Sequence, residues 1–269
     1  MASKLSNGHR QQPRFLIWGG NGWIAGQLKR LLQEQGKEVH ATNIRMENRE
    51  AVLSELLLTK PTHVLNAAGC TGRPNVDWCE DNKGQTYDKT HPIGGRGYTE
   101  EDRPNFEGSF YSLTKGHVEP VLSSYPNCLI LRLRMPVSDD LHPRNFVTKL
   151  LNYERVVNIP NSNTILHDLL PASIMLAEHG ETGVYNFTNP GAISHNEVLT
   201  LFKDIVRPEL SWQNFTLEEQ AKVIKADRSN CALDTSKLVA KLKEYQYEIP
   251  EVHEAYEKCF ERMKAVGIE

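Results

Sequence analysis

The sequence predicts an α/β protein built on a doubly wound parallel sheet, with a small C-terminal lobe. Three observations carry that expectation. Short apolar runs alternate with helical patterns between Arg14 and Ala68, as parallel strands joined by crossover helices do. A glycine-rich turn, Gly19-Gly-Asn-Gly22-Trp-Ile-Ala25-Gly26, stands between the first apolar run and the first helical pattern. The length of 269 residues is enough for a buried sheet and an appended lobe.

Taken in order, Arg14 to Trp18 (RFLIW) is the first strand, and Leu28, Leu31 and Leu32 mark the apolar stripe of a helix ending near Gly36. Val39 to Ile44 is the second strand, Arg49 to Leu58 the second helix, and His63 to Ala68 a third strand after Pro61. From Gly69 to Phe110 the chain is rich in Gly, Pro, Asp and Asn and shows no clear strand. Tyr111 opens a helix to about Ser123, and Cys128 to Met135 (CLILRLRM) is again a strand. Strands follow at Val156 to Ile159 and Val184 to Phe187, with a helix around Leu169 to His179 between them. Ser194-His-Asn-Glu197 and Thr216-Leu-Glu-Glu219 are capping boxes, and the last helix runs from about Glu251 to Ala265. The organisation expected is a disordered tail over 1–12, a nucleotide-binding domain over 13–140, and a substrate-binding lobe over 141–269 interleaved with it.

Composition narrows the function. A net charge of -3 with interspersed signs supplies no basic stripe for nucleic acid and no polybasic patch for a membrane. No apolar run reaches the length of a membrane span, and the N-terminal residues lack the apolar core of a signal peptide. The five cysteines are widely spaced without a C-x-x-C pair, so a cytoplasmic protein without disulfides is expected. The ten histidines show no metal-ligand spacing, so no metal is expected either.

The glycine turn is the nucleotide site of a Rossmann-type fold: a dinucleotide pyrophosphate meets backbone N–H groups and the helix N-terminus opened by Trp23 and Ile24. As G-x-x-G-x-x-A, Gly19 makes the turn, Gly22 allows close approach, and Ala25 or Gly26 lets the helix pack on the strand. The second strand ends Thr42-Asn43-Ile44-Arg45, with no carboxylate for a ribose 2′-hydroxyl. Arg45 and Arg49 suit a 2′-phosphate instead, which selects NADPH (NADP+), unless both are ordinary solvated charges.

Tyr111-Ser-Leu-Thr-Lys115 places a phenol and an ammonium one helical turn apart. A ketone accepting hydride needs a proton, and a neighbouring Lys⁺ lowers the phenol pKa so that Tyr111 can supply it.

With these motifs the chain resembles the extended short-chain dehydrogenase/reductases, and within them the dTDP-4-dehydrorhamnose reductase group, nearest to the bifunctional UDP-4-keto-6-deoxyglucose 3,5-epimerase/4-reductases. The strings that carry the likeness are Asn66-Ala-Ala-Gly69, Thr71 to Glu80, Gly108 to Tyr111, Arg132 to Pro136, Arg144 to Phe146, Asn158 to Ser162, Tyr185 to Gly191 and Ser194 to Glu197. The resemblance implies epimerisation at C3 and C5 of a UDP-sugar and NADPH reduction at C4. It places Asn66, Ala67, Ala68 and Lys115 at the cofactor and Tyr111 and Lys115 at the ketone. It offers Lys149 as acid/base for epimerisation, with a surface lysine as the alternative. It offers Arg73, Asn75, Asn145 and Arg228 as ligands for the sugar and its diphosphate. The partners expected are that UDP-sugar and, at most, a second copy of the chain as a homodimer. The rival reading is an inactive NADP-binding module resembling the regulatory subunit of methionine adenosyltransferase; the Thr71 to Glu80 and Asn158 to Ser162 strings favour the enzyme.

Other residues have plainer readings. Cys79 is a small buried hydrophobe or a substrate contact, His195 belongs to a capping box, and Asn158 and Asn161 cap a turn. The last helix is an amphipathic flank of the core or a partner surface.

One expected part is absent. After the third strand a doubly wound sheet needs a crossover helix and another parallel strand, together roughly 30 residues, before the Tyr–Lys helix. Asp81 to Pro92 is too polar and too short to provide them. The resembling family carries here a helix and a strand ending in a Ser or Thr that completes the catalytic set, so a block is expected to be missing between Lys83 and Tyr87. Thr86 is the only nearby replacement hydroxyl.

Overall fold

A computed structural model of the chain describes residues 12–69, 97–103, 110–223 and 230–268. It divides into two compact units, Met1–Cys70 and Thr71–Glu269.

The first unit is a three-stranded parallel sheet with its helices. In chain order it contains β1 (Arg14–Trp18), α1 (Trp23–Glu34), β2 (Glu38–Thr42), α2 (Arg49–Thr59) and β3 (His63–Asn66). The strand order is β2-β1-β3, with Ile17 in register with both Ala41 and Leu65. The central strand is the one with an unbroken apolar run, and Phe15, Leu16, Ile17 and Trp18 are all buried. The flanking strands are more open, alternating more and less exposed residues over all or most of their length, as edge strands do. α1 buries Ala25, Leu28 and Leu32; of the expected stripe Leu28, Leu31 and Leu32, the Leu31 side chain stays partly exposed. α2 is capped by Asn48, whose side chain accepts from Ala51 N, yet it buries none of its residues. Because the chain leaves β1 for one side and returns to the other, the order reverses there, and the crevice between the carboxyl ends of β1 and β3 is where open α/β sheets bind ligands.

The second unit begins, among the described residues, with a bridge between Tyr98 and Leu233. It continues with α3 (Phe110–Ser123), β4 (Leu129–Arg132), β5 (Pro136–Val137), α4 (Phe146–Leu151), β6 (Arg155–Val156), β7 (Pro160–Asn161), β8 (Thr164–Ile165) and α5 (Leu166–Glu178). Then come β9 (Gly183–Asn186), β10 (Ile193–Ser194), α6 (His195–Ile205), β11 (Gln213–Asn214), α7 (Leu217–Val223), α8 (Ser236–Glu244) and α9 (Val252–Ala265). β4 pairs in parallel with β9, and β5 with β8, so strands of the C-terminal half return to those that follow the Tyr–Lys helix.

Among the described residues two apolar clusters hold this unit. One joins α4, α6 and α9 through Val147, Leu150, Phe202, Tyr256 and Phe260, with the Phe202 and Phe260 rings edge to face at 5.1 Å. The other joins α5, β9 and α8 through Leu169, Leu176, Tyr185, Phe187, Leu238 and Leu242.

Both capping boxes form. Ser194 N donates to Glu197 Oε2 at 2.8 Å while Glu197 N donates to Ser194 Oγ, and Thr216 and Glu219 repeat the arrangement. The strand expected over Val156 to Ile159 is instead two short pieces. Val156 and Val157 are buried, Asn158 is exposed, and Pro160, lacking an N–H, lies opposite Ser194 in a two-residue pairing. The sequence reading does not anticipate α4 and α8, which are short and owe their helicity to the cores they cover.

Candidate active site

The glycine turn is built by backbone bonds. Gly19 N and Gly20 N both donate to Thr42 O, at 3.1 and 2.9 Å, and Gly22 N closes onto Gly19 O at 2.8 Å. Gly19 sits at φ +79, and a Cβ there would lie 2.7 Å from Ala68 Cα, so the turn passes against the end of β3 with no room for a side chain. A Cβ on Gly22 would meet Gly19 O at 3.0 Å. Gly22 is also the cap of α1, with no side-chain bond to the first turn and no acidic residue in that turn. That helix start, with Trp23 and Ile24 as its first residues, has backbone N–H groups open to a partner, an arrangement that suits an anion. Of the two candidates for packing the helix on the strand, the structure selects Ala25, which is fully buried; a Cβ on Gly26 would meet nothing within 4 Å.

The end of β2 completes this crevice. Asn43 Oδ1 accepts from Asn21 N at 2.8 Å, and Trp18 Nε1 donates to Ile44 O. Arg45 follows, exposed, and no carboxylate lies between Thr42 and Met46. At the end of β3, Asn66 Oδ1 accepts from Ala68 N, and Ala67 N donates to Trp18 O, which holds Asn66, Ala67 and Ala68 beside the glycine turn.

In the second unit Tyr111 and Lys115 both fall within α3, one turn apart, and Lys115 is exposed. Glu119 is one turn further on. Its carboxylate receives Arg132 Nε at 2.9 Å and Arg132 Nη2 at 2.7 Å. The same guanidinium donates to the carbonyls of Thr99, Glu100 and Asp102, so β4, α3 and residues 99–102 share one cation. Asn186 of β9 extends this web, donating to the carbonyls of Tyr98 and Asp234.

Lys149 lies in α4. Burial and the nearby Arg144 cation lower its pKa from the ordinary lysine value, although part of the side chain is open to solvent. Asn145 caps that helix: it accepts from Val147 N and donates to the carbonyls of Ser138 and Asp140. With 0% exposure and its amide turned inward, Asn145 orders the turn before Lys149 and offers no group to a sugar. Burial pushes the His195 imidazole down to about 4, so it is a neutral ring packed 5.4 Å from Phe146. Asn161 is wholly buried, receiving Arg134 Nη2 and Cys231 N and donating to Asn230 Oδ1. Arg73, Asn75, Cys79, Thr86 and Arg228 lie outside the described residues. Among the described residues no group of three metal-ligating side chains occurs.

No family model matches the chain. It is 49% identical over 258 residues to the bifunctional dTDP-4-dehydrorhamnose 3,5-epimerase/dTDP-4-dehydrorhamnose reductase of Arabidopsis thaliana, covering 83% of this chain and 86% of that protein. The chain belongs to the nucleotide-rhamnose epimerase/reductase family. A trifunctional UDP-glucose 4,6-dehydratase/UDP-4-keto-6-deoxy-D-glucose 3,5-epimerase/UDP-4-keto-L-rhamnose-reductase of the same plant is 48% identical over 272 residues, 88% of this chain. There the chain spans 41% of the relative's length. The crystal structure of the L780 UDP-rhamnose synthase from Acanthamoeba polyphaga mimivirus superposes with a TM-score of 0.83 at 32% identity, covering 94% of this chain and 100% of that one. A dTDP-4-dehydrorhamnose reductase from Bacillus anthracis, solved in complex with NADP, shares the fold at a TM-score of 0.71 and 17% identity.

For a member of the epimerase/reductase family, sequence reasoning found the turn and the Tyr–Lys helix but missed Asn43, Glu119, Arg132 and Asn161 as organisers. Glu119 was within reach, since it continues the four-residue spacing of Tyr111 and Lys115. Asn43 acts through the Asn21 N–H, and Arg132, besides Glu119, reaches carbonyls about 30 positions away that no spacing reveals.

Proposed function

We propose that this chain converts UDP-4-keto-6-deoxyglucose to UDP-rhamnose, by epimerisation at C3 and C5 and NADPH-dependent reduction at C4. The 49% identity to a bifunctional epimerase/reductase, across 86% of that protein, carries this reading. The UDP carrier follows the trifunctional relative and the viral synthase.

The cofactor turn fits a dinucleotide. Gly19 at positive φ against Ala68, a side-chain-free cap at Gly22, and Asn43 in place of a carboxylate make room for a pyrophosphate and a 2′-phosphate, with Arg45 beside the latter. NADPH, when bound, supplies the hydride. Tyr111 gives its proton to the C4 oxygen, and Lys115 stabilises the phenolate left behind. Lys149, with its lowered pKa, is the base that takes the protons at C3 and C5, whose acidity comes from the adjacent ketone. Arg73, Asn75 and Arg228 are assigned to the sugar and its diphosphate. No helix among the described residues is long and apolar enough to cross a membrane, and the reaction is assigned to the cytoplasm.

The test is incubation with UDP-4-keto-6-deoxyglucose and NADPH at high enzyme concentration. UDP-rhamnose and substrate-dependent NADPH oxidation are expected. Tyr111→Phe should abolish both while NADPH still binds. Bound NADPH with neither product nor oxidation would replace this reading with an NADP-binding module.

A further inference from the structure

We infer that this chain lacks one helix–strand element of about 35 residues between Lys83 and Tyr87, and that its loss spares dinucleotide binding while slowing reduction at the Tyr–Lys helix. The inference rests on the function proposed above.

The first observation is a shortfall in length. The span shared with the bifunctional plant relative runs over 258 residues but takes in 83% of this 269-residue chain, or about 223 residues, so about 35 face no counterpart here. The trifunctional relative gives the same figure: 272 residues against 88% of this chain, or about 237. Family-like strings lie on both sides, Thr71 to Glu80 and Gly108 to Tyr111, which puts the shortfall inside the chain.

The second observation is one of size. A crossover back to a parallel strand takes a dozen residues or more, and the strand itself roughly five or six. A block of about 35 residues is the size of one such element with its turns.

The third observation is apolar surface where a layered α/β fold packs a neighbour. In the first unit Leu53, Leu57 and Leu58 of α2 are 56%, 64% and 79% exposed, and Val64 of β3 is 51% exposed. In the second unit Val118 and Val121 of α3 are exposed as well. α1, by contrast, buries Ala25, Leu28 and Leu32. Leu53, Leu57, Leu58 and Val64 in the first unit, and separately Val118 and Val121 in the second, lie on the elements that bracket the shortfall in sequence, and each unit has apolar surface that an added helix or strand would cover.

The two functional consequences differ because the parts lie differently along the chain. Gly19, Gly22, Asn43, Asn66 and Ala68 all precede the shortfall, and their mutual bonds are complete without it. Tyr111 and Lys115 follow it directly. Glu119 and Arg132 anchor the later half of α3, and the half that bears Tyr111 is the half the shortened connection leads into. A displacement of about 1 Å at a proton donor costs on the order of 100-fold in rate.

The experiment inserts the corresponding segment of the plant bifunctional enzyme between Lys83 and Tyr87, with a Gly/Ser insert of equal length as control. Turnover should rise about 100-fold. The melting temperature should rise by on the order of 10 °C, and the Kd for NADPH should stay where it was. The inference fails if the restored chain is no faster and no more stable, or if the Gly/Ser insert does as well. Turnover of the unmodified chain equal to that of the plant enzyme also overturns it, whatever the graft does. A restored chain that is stabilised and binds NADPH yet makes no UDP-rhamnose supports the missing element and sinks the proposed function instead.

Discussion

The Glu119 carboxylate grips the Arg132 guanidinium through both oxygens, one turn beyond Lys115 on the same helix. Both side chains are nearly withdrawn from solvent, at 16% and 15% exposure, so the pair is screened little by water. Arg132 directs its remaining donors to the carbonyls of Thr99, Glu100 and Asp102 and to Asn186 Oδ1.

Arg132→Ala therefore leaves a largely withdrawn carboxylate, three carbonyls and the Asn186 amide oxygen without this donor. The expected loss is about 3 kcal/mol, or roughly 6–10 °C in melting temperature, measured by calorimetry. Arg132→Lys should recover only part of it, because an ammonium cannot reproduce the planar fork. A lysine variant that melts with the wild type would show that charge alone matters here.

The glycine turn gives a paired prediction. Gly19→Ala forces a side chain into a left-handed residue 2.7 Å from Ala68 Cα, at a cost of about 1–3 kcal/mol that should appear as a 10- to 100-fold weaker NADPH complex. Gly26→Ala meets open space on the same helix, so it should leave the NADPH affinity alone and stabilise α1 by up to about 1 kcal/mol. Fluorescence titration of both variants checks this; equal effects would mean that the turn does not approach the ligand.

What made these elements legible in the sequence, and others not, is the range of the forces involved. The run RFLIW and, of the stripe Leu28, Leu31 and Leu32, its members Leu28 and Leu32 are local patterns tied to burial, and they are buried where expected. The capping boxes at Ser194 and Thr216 are legible because their bonds span three residues. Arg132 and Asn161 were not, since Asn161 draws on residues 69 and 70 positions away and Arg132 on carbonyls about 30 positions away. Asn145 shows the opposite failure: a string that matches a family points to a ligand, while the structure spends the side chain on a helix cap.

Lys149 gives a pH dependence. As the proposed base it would work when neutral, and its lowered pKa means that deprotonation sets in at lower pH than for an ordinary lysine. Exchange of the C3 and C5 hydrogens with deuterated solvent should rise with pH and level off below the normal lysine range. Arg144→Gln removes the neighbouring positive charge, so the Lys149 pKa moves up and the rise shifts to higher pH. Burial is the larger cause and remains, so the shift should be partial. An exchange profile that ignores Arg144→Gln, or that survives Lys149→Met, would clear Lys149 of the role.

In the proposed cofactor site, Asn43 and Arg45 at the end of β2 set the preference between the two nicotinamide cofactors. Asn43 Oδ1 holds the turn by accepting from Asn21 N, and an aspartate at that position keeps an acceptor oxygen there, so Asn43→Asp should preserve the turn. It also sets a negative charge where the ribose 2′-phosphate of NADPH would sit, and a carboxylate suits a 2′-hydroxyl instead. NADPH should bind about tenfold more weakly or worse, equivalent to about 1.4 kcal/mol, while NADH binds more tightly. Arg45→Ala supplies the complementary case: it removes a cation exposed beside the strand end, so it should weaken NADPH and leave NADH unchanged. Titrating both cofactors against wild type and the two variants separates these effects. If NADPH and NADH respond alike to both substitutions, the ribose does not lie at Asn43 and Arg45, and the preference for the phosphorylated cofactor must come from elsewhere in the chain.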